Sequence, residues 1–434
     1  MNSARRLGML RPLQHRDFAK LWTGLFVSLI GDGVYLVAIA WQVYDLSDSP
    51  AALAVVGLAW SLPQVLLVLA AGALSDRFDR RALMVAGDLT QLVSISAIGV
   101  LSLAGELSVP ILVGLVAVYG AGQAIFHPSL NAIVPMIVPD GSLVEANALG
   151  RFVRPFAMML IGPLVGGALI AALGVGWAFV VDAATFGFSA AMIASIRTRA
   201  RVAEEERRPM RQDVMEGMRF VRRERWLFVA LIASAVTFLL TWGPWETLIP
   251  FVVRNDLGGG AEDLGLVYGM GGVGAVAAAA VLAQRGRLPR KPITALYLAW
   301  ALMMFALAGF GVVTSLWQAM LMAILLEGSL TVLVVIWYTA LQRLVPARLL
   351  GRVSSIDWLM TQAGVPLSFA LVGPAAAAFG VRPTLVVAGL GGAAIVLAFL
   401  FFVPGSRAPE RDGRLASAAP TEAPVHEPNA AGRI

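Results

Sequence analysis

The sequence has no cysteine and only three histidines among its 434 residues. The absence of cysteine excludes disulfide bonds, thiol catalysis and cysteine-ligated metal sites. The histidines stand far apart, at His15, His127 and His426, which argues against a histidine-built metal site. Charged residues are also scarce, at 14% of the chain against about 25% in soluble domains. A soluble fold of this length would have too few charges to cover its surface.

Several signatures of catalysis are missing as well. No Gly-x-x-x-x-Gly-Lys-Ser/Thr segment occurs, so no P-loop nucleotide site is expected. We find no nucleophile–base pair and no set of metal ligands, and therefore expect neither an enzyme nor a bound cofactor. The pI of about 10.1 would suggest a nucleic-acid partner in a soluble protein. The placement of the basic residues favours a membrane explanation instead, and we expect no nucleic acid.

The sequence does contain long apolar runs. Apolar residues make up 58% of the chain, and their runs reach roughly 20 residues, the length that a helix needs to cross the hydrocarbon core. Only helices satisfy the backbone polar groups of such runs in lipid. We therefore predict an all-α membrane protein. Its twelve transmembrane helices are expected at about 19–44, 51–74, 82–104, 109–128, 145–173, 176–197, 227–252, 263–284, 292–313, 316–341, 354–378 and 382–404.

The basic residues fall on alternate sides of these predicted helices. With the N-terminus in the cytoplasm, 31 of the 33 Lys and Arg residues lie in or beside cytoplasmic segments, and only Arg254 and Arg382 do not. This asymmetry is typical of inner-membrane proteins. The first apolar run is too long for a cleavable signal peptide. We expect a multi-pass monomer in the bacterial inner membrane, with both termini cytoplasmic.

The longest predicted cytoplasmic loop divides the helices six and six. The predicted units are an N-terminal six-helix bundle (1–196), a cytoplasmic linker (197–225), a C-terminal six-helix bundle (226–404) and a disordered cytoplasmic tail (405–434). The linker ends in a stretch, Val214 to Trp226, whose spacing predicts an amphipathic surface helix. A shift of 207 positions places Val138-Pro139 on Val345-Pro346, which indicates a duplicated six-helix unit.

One loop motif is typical of a known family. Between predicted helices two and three stands Gly72-Ala-Leu-Ser-Asp76-Arg77-Phe-Asp-Arg80-Arg81. It resembles the inner-loop signature of the major facilitator superfamily, Gly-x-x-x-Asp-Arg-x-Gly-Arg-Arg, with Asp79 where glycine is usual. The resemblance implies two six-helix bundles in the major facilitator fold. It also implies a latch formed by Gly72, Asp76, Arg77, Arg80 and Arg81, in which the aspartate meets the start of helix eleven, expected near Ser354. A positive-inside loop with incidental acids is the alternative.

Further stretches are similar to the drug- and siderophore-exporter branch of that superfamily, which includes enterobactin, macrolide and Tap-type multidrug exporters. They are Gly31-Asp32-Gly33, Phe126-His127-Pro128, Glu145-Ala-Asn147, Gly162-Pro163-Leu-Val-Gly166-Gly167 and Gly351-Arg352-Val353. Gly162, Pro163, Gly166 and Gly167 partly match the antiporter motif of helix five, and the resemblance implies export by exchange. Plain helix packing at small residues is the alternative. The arginine usual in helix four of many proton antiporters is absent, because Tyr119-Gly-Ala-Gly-Gln123 occupies that region.

Two acids lie deep in predicted helices. A charge at the bilayer centre costs about 2.5–3.5 kcal/mol on insertion scales, so such residues are candidates for function. Asp32 lies about 20 Å into helix one, between two glycines and on the same face as Tyr35. Glu327 lies near the middle of helix ten. In the family's fold these two helices line the cavity, and we expect both carboxylates to face it. A carboxylate buried against a neighbouring helix is the alternative for each.

Other intramembrane polar residues are weaker candidates. We expect Asp88 of helix three to pair with Arg154 or to reach the inner interface, and Arg154 to act as a partner or gating residue. Asp182 and Glu246 are interpreted as solvated acids toward the outer side. Four tryptophans are interpreted mainly as interfacial belt residues: Trp60, Trp242, Trp245 and Trp337.

The sequence therefore favours secondary active transport. We expect export of a small amphipathic or hydrophobic molecule, drug-like or siderophore-like, by proton antiport through alternating access. The expected partners are this small molecule, the proton as coupling ion and the lipid bilayer. Two alternatives stay open: an importer or lipid carrier on the same fold, and a membrane sensor that transports nothing.

Overall fold

The computed structural model describes residues 11–75, 78–139, 142–197, 210–285 and 288–413 of the chain. Within these ranges the chain is helical and contains no β-strand. Twelve of the helices described there are long and apolar enough to cross a membrane. This confirms the predicted all-α architecture, which follows from the need of each segment to satisfy its own backbone hydrogen bonds in lipid.

The first half contains seven helices in the described ranges, preceded by a short 3₁₀ turn, Arg11–Gln14. They are α1 (Arg16–Leu46), α2 (Pro50–Ser75), α3 (Arg80–Ala104), α4 (Val109–Ile137), α5 (Leu143–Arg154), α6 (Gly162–Leu173) and α7 (Val175–Ala194). A π-helical segment, Pro155–Ile161, joins α5 to α6 and makes them one continuous helical run. Such wide turns are uncommon and occur mostly at functional positions.

The second half contains the remaining helices. They are α8 (Met210–Arg223), α9 (Arg225–Phe251), α10 (Ala261–Arg285), α11 (Pro292–Phe310), α12 (Leu316–Leu344), α13 (Ala347–Phe379), α14 (Val381–Phe402) and the short α15 (Ala408–Arg411). A second π-helical segment, Val252–Asp256, extends α9. Helix α8 covers most of the stretch for which an amphipathic helix is predicted.

Each half packs as a bundle of its own. In the first half α1 packs against α6 and α7, and α3 against α4 and α7. In the second half α10 packs against α12, α11 against α12 and α14, and α9 against α13 and α14. The end of the molecule that carries Arg80, Arg81, Arg348 and Arg352 is called the basic face below. The other end, where α1 finishes and α2 begins, is called the opposite face.

The two halves repeat each other in detail. Helices α4 and α12 are both 29 residues long, and their ends are separated by the same 207 positions that align the sequence repeat. Gly174 before α7 has φ 89° and ψ 163°, and Gly380 before α14 has φ 89° and ψ 161°. Residues other than glycine rarely adopt this backbone conformation. Both halves therefore use glycine for the same turn.

Glycines bring the two halves together. Helix α2 contacts α13, and α6 contacts α10. A Cβ atom on Gly57 of α2 would lie 2.8 Å from Cζ of Phe369 in α13, and one on Gly167 of α6 would lie 2.7 Å from the carbonyl oxygen of Ala261 in α10. These contacts lie in the parts of the four helices nearer the opposite face. The halves are therefore closely packed on that side.

The start of α13 differs from the expectation. It begins at Ala347, two turns before Ser354, so the expected start near Ser354 is wrong; Asp76, which was expected to meet this helix start, lies outside the described residues. The extra turns are stabilised by α8, because Glu216 accepts hydrogen bonds from Arg348, at 2.7 Å, and from Arg352. Both arginines hold the pKa of Glu216 below its usual value, the hydrogen bond from Arg348 being the main cause.

The C-terminal tail is also partly ordered. Glu410 of α15 accepts hydrogen bonds from the backbone amide of Thr294, at 2.6 Å, and from its hydroxyl, at 2.7 Å. Thr294 lies in the first turn of α11, whose amides lack partners within the helix. Disorder from residue 405 onward is therefore wrong for residues 405–413. Residues 414–434 lie outside the described ranges.

Candidate functional site

Asp32 lies near the middle of α1, which is 31 residues long. Its position is about 24 Å along the helix axis from Arg16, and its side chain is half-buried. The hydroxyl of Tyr119 on α4 donates a hydrogen bond to Oδ1 of Asp32 at 3.0 Å. The ring of Tyr35, expected beside Asp32, packs on that of Tyr119 with centroids 4.7 Å apart. The structure therefore brings Asp32 and Tyr35 together around Tyr119.

The two glycines beside Asp32 have separate roles. A Cβ atom on Gly33 would lie 2.7 Å from the Cα atom of Gly162 in α6. A Cβ atom on Gly31 would collide with the carboxylate of Asp182 and the hydroxyl of Thr185, both on α7. The Gly-Asp-Gly sequence therefore lets α1 approach two helices at once at the depth of the carboxylate.

Asp182 is fully buried, so its interpretation as a solvated acid is wrong. Thr185 donates a hydrogen bond to the backbone carbonyl of Asp182 at 2.7 Å, and Oδ2 of Asp182 has no hydrogen-bond partner among the described residues. The carboxylate also interacts electrostatically with Asp32. The error arose because depth along a helix does not tell which way a side chain points.

Asp88 and Arg154 are not a pair. Asp88 of α3 is 1% exposed, and neither of its carboxylate oxygens has a hydrogen-bond partner among the described residues. Arg154, the last residue of α5, is exposed and interacts electrostatically with Asp32. The structure therefore associates Arg154 with the acid of α1, and the expected pairing with Asp88 is wrong.

The second half has its own pair of acids. Glu327 of α12 is 7% exposed, and its Cγ atom would lie 2.9 Å from a Cβ atom on Gly271 of α10. Glu246 of α9 is half-buried and interacts electrostatically with Glu327. Tyr268 interacts electrostatically with both acids, and its hydroxyl has no hydrogen-bond partner among the described residues. Glu246 therefore belongs with Glu327, and at its half-buried position it keeps only part of the solvent contact expected of a solvated acid.

The four residues of the predicted antiporter motif lie between α1 and α10. A Cβ atom on Gly162 would lie 2.5 Å from the Cα atom of Gly33, and one on Gly166 would lie 2.9 Å from that of Val34. Gly167 and the carbonyl of Pro163 face the other half, where a Cβ atom on Gly265 of α10 would lie 2.5 Å from the Pro163 carbonyl oxygen, whereas the Pro163 ring lies against Gly33 of α1. The motif therefore forms a thin strip of small residues that packs α6 against α1 in its own half and against α10 in the other half.

The inner-loop motif is only partly visible. Asp76 and Arg77 lie outside the described residues, and of Gly72 only the helical backbone is described. Arg80 donates to the sulfur of Met136 at 2.9 Å, and Arg81 donates to the carbonyl oxygen of Ile196 at 2.5 Å. These bonds tie the start of α3 to α4 and to the end of α7.

Asp79 explains the departure from the usual motif. It has φ −59°, so the turn does not require glycine there. Its carboxylate accepts a hydrogen bond from the backbone amide of Arg81 at 2.9 Å and caps α3. A capping aspartate satisfies one of the unpaired amides of the first turn and opposes the helix dipole favourably.

A cluster at the opposite face joins the halves, and only its isolated arginine could be noticed in the sequence. Arg254, in the π-helical segment after α9, forms a salt bridge with Asp45 of α1 at 3.0 Å. Its guanidinium carbon lies 4.2 Å from the ring centroid of Trp41 and 3.8 Å from that of Tyr44. Tyr44 also donates a hydrogen bond to Asn255. These five residues are called the opposite-face clasp below.

The comparison with protein families decides the classification. The family model described as transmembrane secretion effector matches residues 7–430. The chain belongs to this family. The family is part of the major facilitator superfamily, and with twelve apolar helices in its described ranges the chain is a multi-pass membrane protein.

Known relatives of this chain include efflux proteins. Multidrug efflux pump Tap of Mycolicibacterium fortuitum is 26% identical over 388 residues, which cover 86% of this chain and 91% of that pump. Macrolide efflux protein A of Streptococcus pyogenes is 24% identical over 245 residues, which cover 56% of this chain and 60% of that protein. The match to the macrolide protein thus spans less than two thirds of its length. Both relatives are transporters and not enzymes.

The fold of this chain is also found among solved structures. A bacterial homologue of the human lysosomal transporter Spinster, solved in an inward-facing and unoccupied conformation, has a TM-score of 0.68 and 14% identity. The match covers 94% of this chain and 99% of that chain. At this identity the likeness shows the shared fold.

Three of the four predicted belt tryptophans have partners inside the bundles instead. Trp60 donates a hydrogen bond to Oε1 of Gln123 at 3.1 Å, and Trp337 donates one to Oδ2 of Asp357 at 3.1 Å. The ring of Trp245 packs on that of Tyr268 with centroids 5.3 Å apart. The belt interpretation is wrong for these three. The indole N–H groups of Trp60 and Trp337 are satisfied by polar side chains inside the bundles rather than by the interface, and Trp245 is only 7% exposed.

Proposed function

We propose that this protein is a secondary active transporter that exports a small amphipathic or hydrophobic molecule by exchange with protons. The two halves rock about a central cavity between them, so that the site opens to one side of the membrane at a time. The basic face is cytoplasmic, in keeping with its arginines, and the opposite face is external. The cargo is drug-like or siderophore-like, which is supported by relatives named for macrolide and multidrug efflux.

One observation carries this proposal: the close contacts between the halves run from the opposite face to about the depth of Asp32, where Gly272 meets Met159, and Asp32 itself is half-buried. Gly167 meets Ala261, Gly57 meets Phe369 and Arg254 meets Asp45, all on that side. A molecule closed from one end down to a half-buried acid has the form expected of a carrier that is ready to bind cytoplasmic cargo. Rocking would break these contacts and expose the site outward.

Asp32 and Glu327 are the proposed proton-coupling residues, one in each half. A carboxylate in the low-dielectric interior is costly when charged and much less so when protonated, so it exchanges protons readily with a change of surroundings. Tyr35, Asp88 and Arg154 are proposed to assist, Arg154 by its electrostatic interaction with Asp32. Each proton that crosses with the membrane potential contributes about 2.3 kcal/mol per 100 mV, enough to drive accumulation of cargo.

The latch residues Gly72, Asp76, Arg77, Arg80 and Arg81 are proposed to close the cytoplasmic side in the other state. Arg80 and Arg81 already join α3 to α4 and α7. The thin strip of Gly162, Pro163, Gly166 and Gly167 is proposed to be the surface on which the halves turn, because small residues allow close approach without interlocking side chains. The monomer is the proposed functional unit, since each protomer contains both halves.

The test is flux in proteoliposomes that contain the purified full chain and an internal pH dye. A panel of amphipathic drugs and siderophores is presented with an imposed pH gradient. We expect one or more compounds to move against their gradient while protons move the other way. Asp32→Asn should abolish coupled movement. Glu106→Gln, which neutralises an exposed acid in the loop between α3 and α4, should keep it.

Other outcomes identify the alternatives. Accumulation in the same direction as the protons would indicate an importer or a lipid or solute carrier. Movement driven by a sodium gradient alone would contradict proton exchange. A rate equal to that of protein-free liposomes for every compound, in a sample that retains its helical content, would favour a sensor that transports nothing.

A further inference from the structure

Three hydrogen bonds connect Asp32 to the interface between the halves. Nε1 of Trp60 donates to Oε1 of Gln123 at 3.1 Å, and Nε2 of Gln123 donates to the hydroxyl of Tyr119 at 2.8 Å. That hydroxyl in turn donates to Oδ1 of Asp32 at 3.0 Å. The series runs from α2 through α4 to α1, and is called the polar relay below.

The polar relay can run in one direction only. An indole N–H donates and cannot accept, so the oxygen of the Gln123 amide must face Trp60 and its nitrogen must face Tyr119. The Tyr119 hydroxyl then accepts from Gln123 and has its single proton left for Asp32. Every donor in the series therefore points toward the carboxylate, which suits a charged acceptor at its end.

Protonation of Asp32 changes this end of the polar relay. A hydrogen bond to a charged carboxylate is roughly twice as strong as one between neutral groups. A proton on Oδ2 leaves Oδ1 as a neutral and therefore weaker acceptor, whereas a proton on Oδ1 places a donor against the Tyr119 hydroxyl. Because Trp60 cannot accept, the series cannot reverse to accommodate such a donor. In either case protonation weakens the hydrogen bond between Tyr119 and Asp32 and holds the polar relay less tightly.

Trp60 is where such movement reaches the other half. Its ring lies edge-on to that of Phe369 of α13, with centroids 6.5 Å apart, and Phe369 is 2% exposed. One turn away, Gly57 leaves the space that the Phe369 ring fills. On the other side, a Cβ atom on Gly120 of α4 would lie 3.1 Å from the carbonyl carbon of Trp60. Helices α2 and α4 are therefore in close contact at the residue that contacts α13.

Other polar groups share the surroundings of Asp32 and enter any dependence on pH. They are Arg154 of α5, Asp88 of α3, Asp182 of α7, Tyr119 of α4, Tyr35 of α1 itself and, through Tyr35, Glu246 of α9. Among the described residues, the polar relay is the series of hydrogen bonds that runs from this group to an aromatic contact between the halves.

We propose that Trp60, Gln123 and Tyr119 are positioning residues that transmit the charge state of Asp32 to the contact between α2 and α13. A charged Asp32 holds the polar relay in order and keeps Trp60 against Phe369, which favours the state closed at the opposite face. A neutral Asp32 loosens the relay and lets the halves separate there. The inference rests on the proposed role of Asp32 in proton coupling.

The test uses the absence of native cysteine. Spin labels on Glu106→Cys and Val312→Cys report the distance between the halves at the opposite face, since these exposed residues follow α3 and α11. Distances are recorded in lipid nanodiscs across a pH series. Trp60→Phe removes the indole N–H and keeps a ring against Phe369, and Tyr119→Phe removes only the hydroxyl. Trp337→Phe is the matched control, because it removes an indole N–H bonded to Asp357 elsewhere.

We expect acidification to increase the fraction of molecules that show the longer distance between the labels, both in the parent and in Trp337→Phe. In Trp60→Phe and Tyr119→Phe the pH-dependent change in the ratio of the two states should shrink about three- to tenfold, the size of one lost hydrogen bond. A full pH response in both relay variants, with none in Asp32→Asn, would overturn the polar relay and leave the proposed function intact. A full response in Asp32→Asn would overturn the proposed role of Asp32 itself. Equal loss in Trp337→Phe would also overturn the relay.

Discussion

Removal of Arg254 should weaken closure at the opposite face by a predictable amount. Its salt bridge with Asp45 is partly exposed, with side-chain exposures of 30% and 41%, and such pairs contribute about 0.2–1 kcal/mol. Each of its two ring contacts, with Trp41 and Tyr44, contributes about 0.5–1 kcal/mol at an exposed site. These interactions join α1 to the segment after α9, so they exist only when the opposite face is closed.

Because the contributions overlap, we expect Arg254→Ala to cost the closed state about 1–2 kcal/mol, which is a factor of about 5–30 in its ratio to the open state. The measurement is the distance distribution between labels on Glu106→Cys and Val312→Cys at constant pH. The fraction of molecules that show the longer distance should increase in Arg254→Ala. Arg254→Lys should give a smaller increase, since it keeps the charge and loses the flat guanidinium that lies over the rings.

The matched control for Arg254 is the other arginine at the opposite face. Arg382 forms a salt bridge with Asp256 at 2.7 Å, with side-chain exposures of 33% and 33%, but both partners belong to the second half. Arg382→Ala should therefore leave the distribution unchanged. An unchanged distribution in Arg254→Ala, or an equal shift in both variants, would refute the reasoning.

Three further outcomes follow from the structure. Gly33→Val should lower the thermal stability in detergent, because overpacking against Gly162 costs about 1–3 kcal/mol. Gly391→Val should not, since no atom lies within 4 Å of its Cβ position. Equal melting temperatures of the two variants would contradict the close packing at Gly33. Glu246→Gln and Glu327→Gln should each reduce proton-coupled flux, and the double variant should lose little more, because the two acids act as one pair; strictly multiplicative losses would show independent sites. Glu216→Gln should increase the mobility of a spin label on α8. Since the pKa of Glu216 is lowered, its bonds to Arg348 and Arg352 are present at neutral pH and are lost only as pH falls through that lowered value, so an increase in mobility near pH 7 in the parent would contradict the assignment.

The number of membrane-spanning helices was predictable because it depends on local sequence. Runs of apolar residues set where the chain crosses the membrane. The end of α4 was missed: the helix was expected to end near residue 128 and continues to Ile137. The start of α13 was missed because its first two turns are held by Glu216, a residue far away in the chain. Order in residues 405–413 was missed for the same reason, since Glu410 binds Thr294.

The acids show where prediction from sequence ends. Asp32 and Glu327 were recognisable from depth alone, since an acid far inside an apolar helix stands out in the sequence. Asp182 and Glu246 also stand among apolar residues in the sequence, but they lie nearer the ends of their helices than Asp32 and Glu327 do. Their burial depends on which face of the helix meets a neighbouring helix. Gln123 was read as the lack of an arginine, whereas its hydrogen bonds to Trp60 and Tyr119 give it a position of its own.

By itself the sequence determined that this chain crosses a membrane repeatedly, that its halves are related, and to which superfamily it belongs. Hydropathy, charge placement and short motifs carry that information along a few neighbouring residues. The tertiary structure decided which acids lie close enough to interact electrostatically, that Arg254 joins the halves, and that Trp60 is linked to Asp32. Those relations depend on how each helix is rotated about its axis and on which distant helix it meets, and packing of the whole bundle settles both.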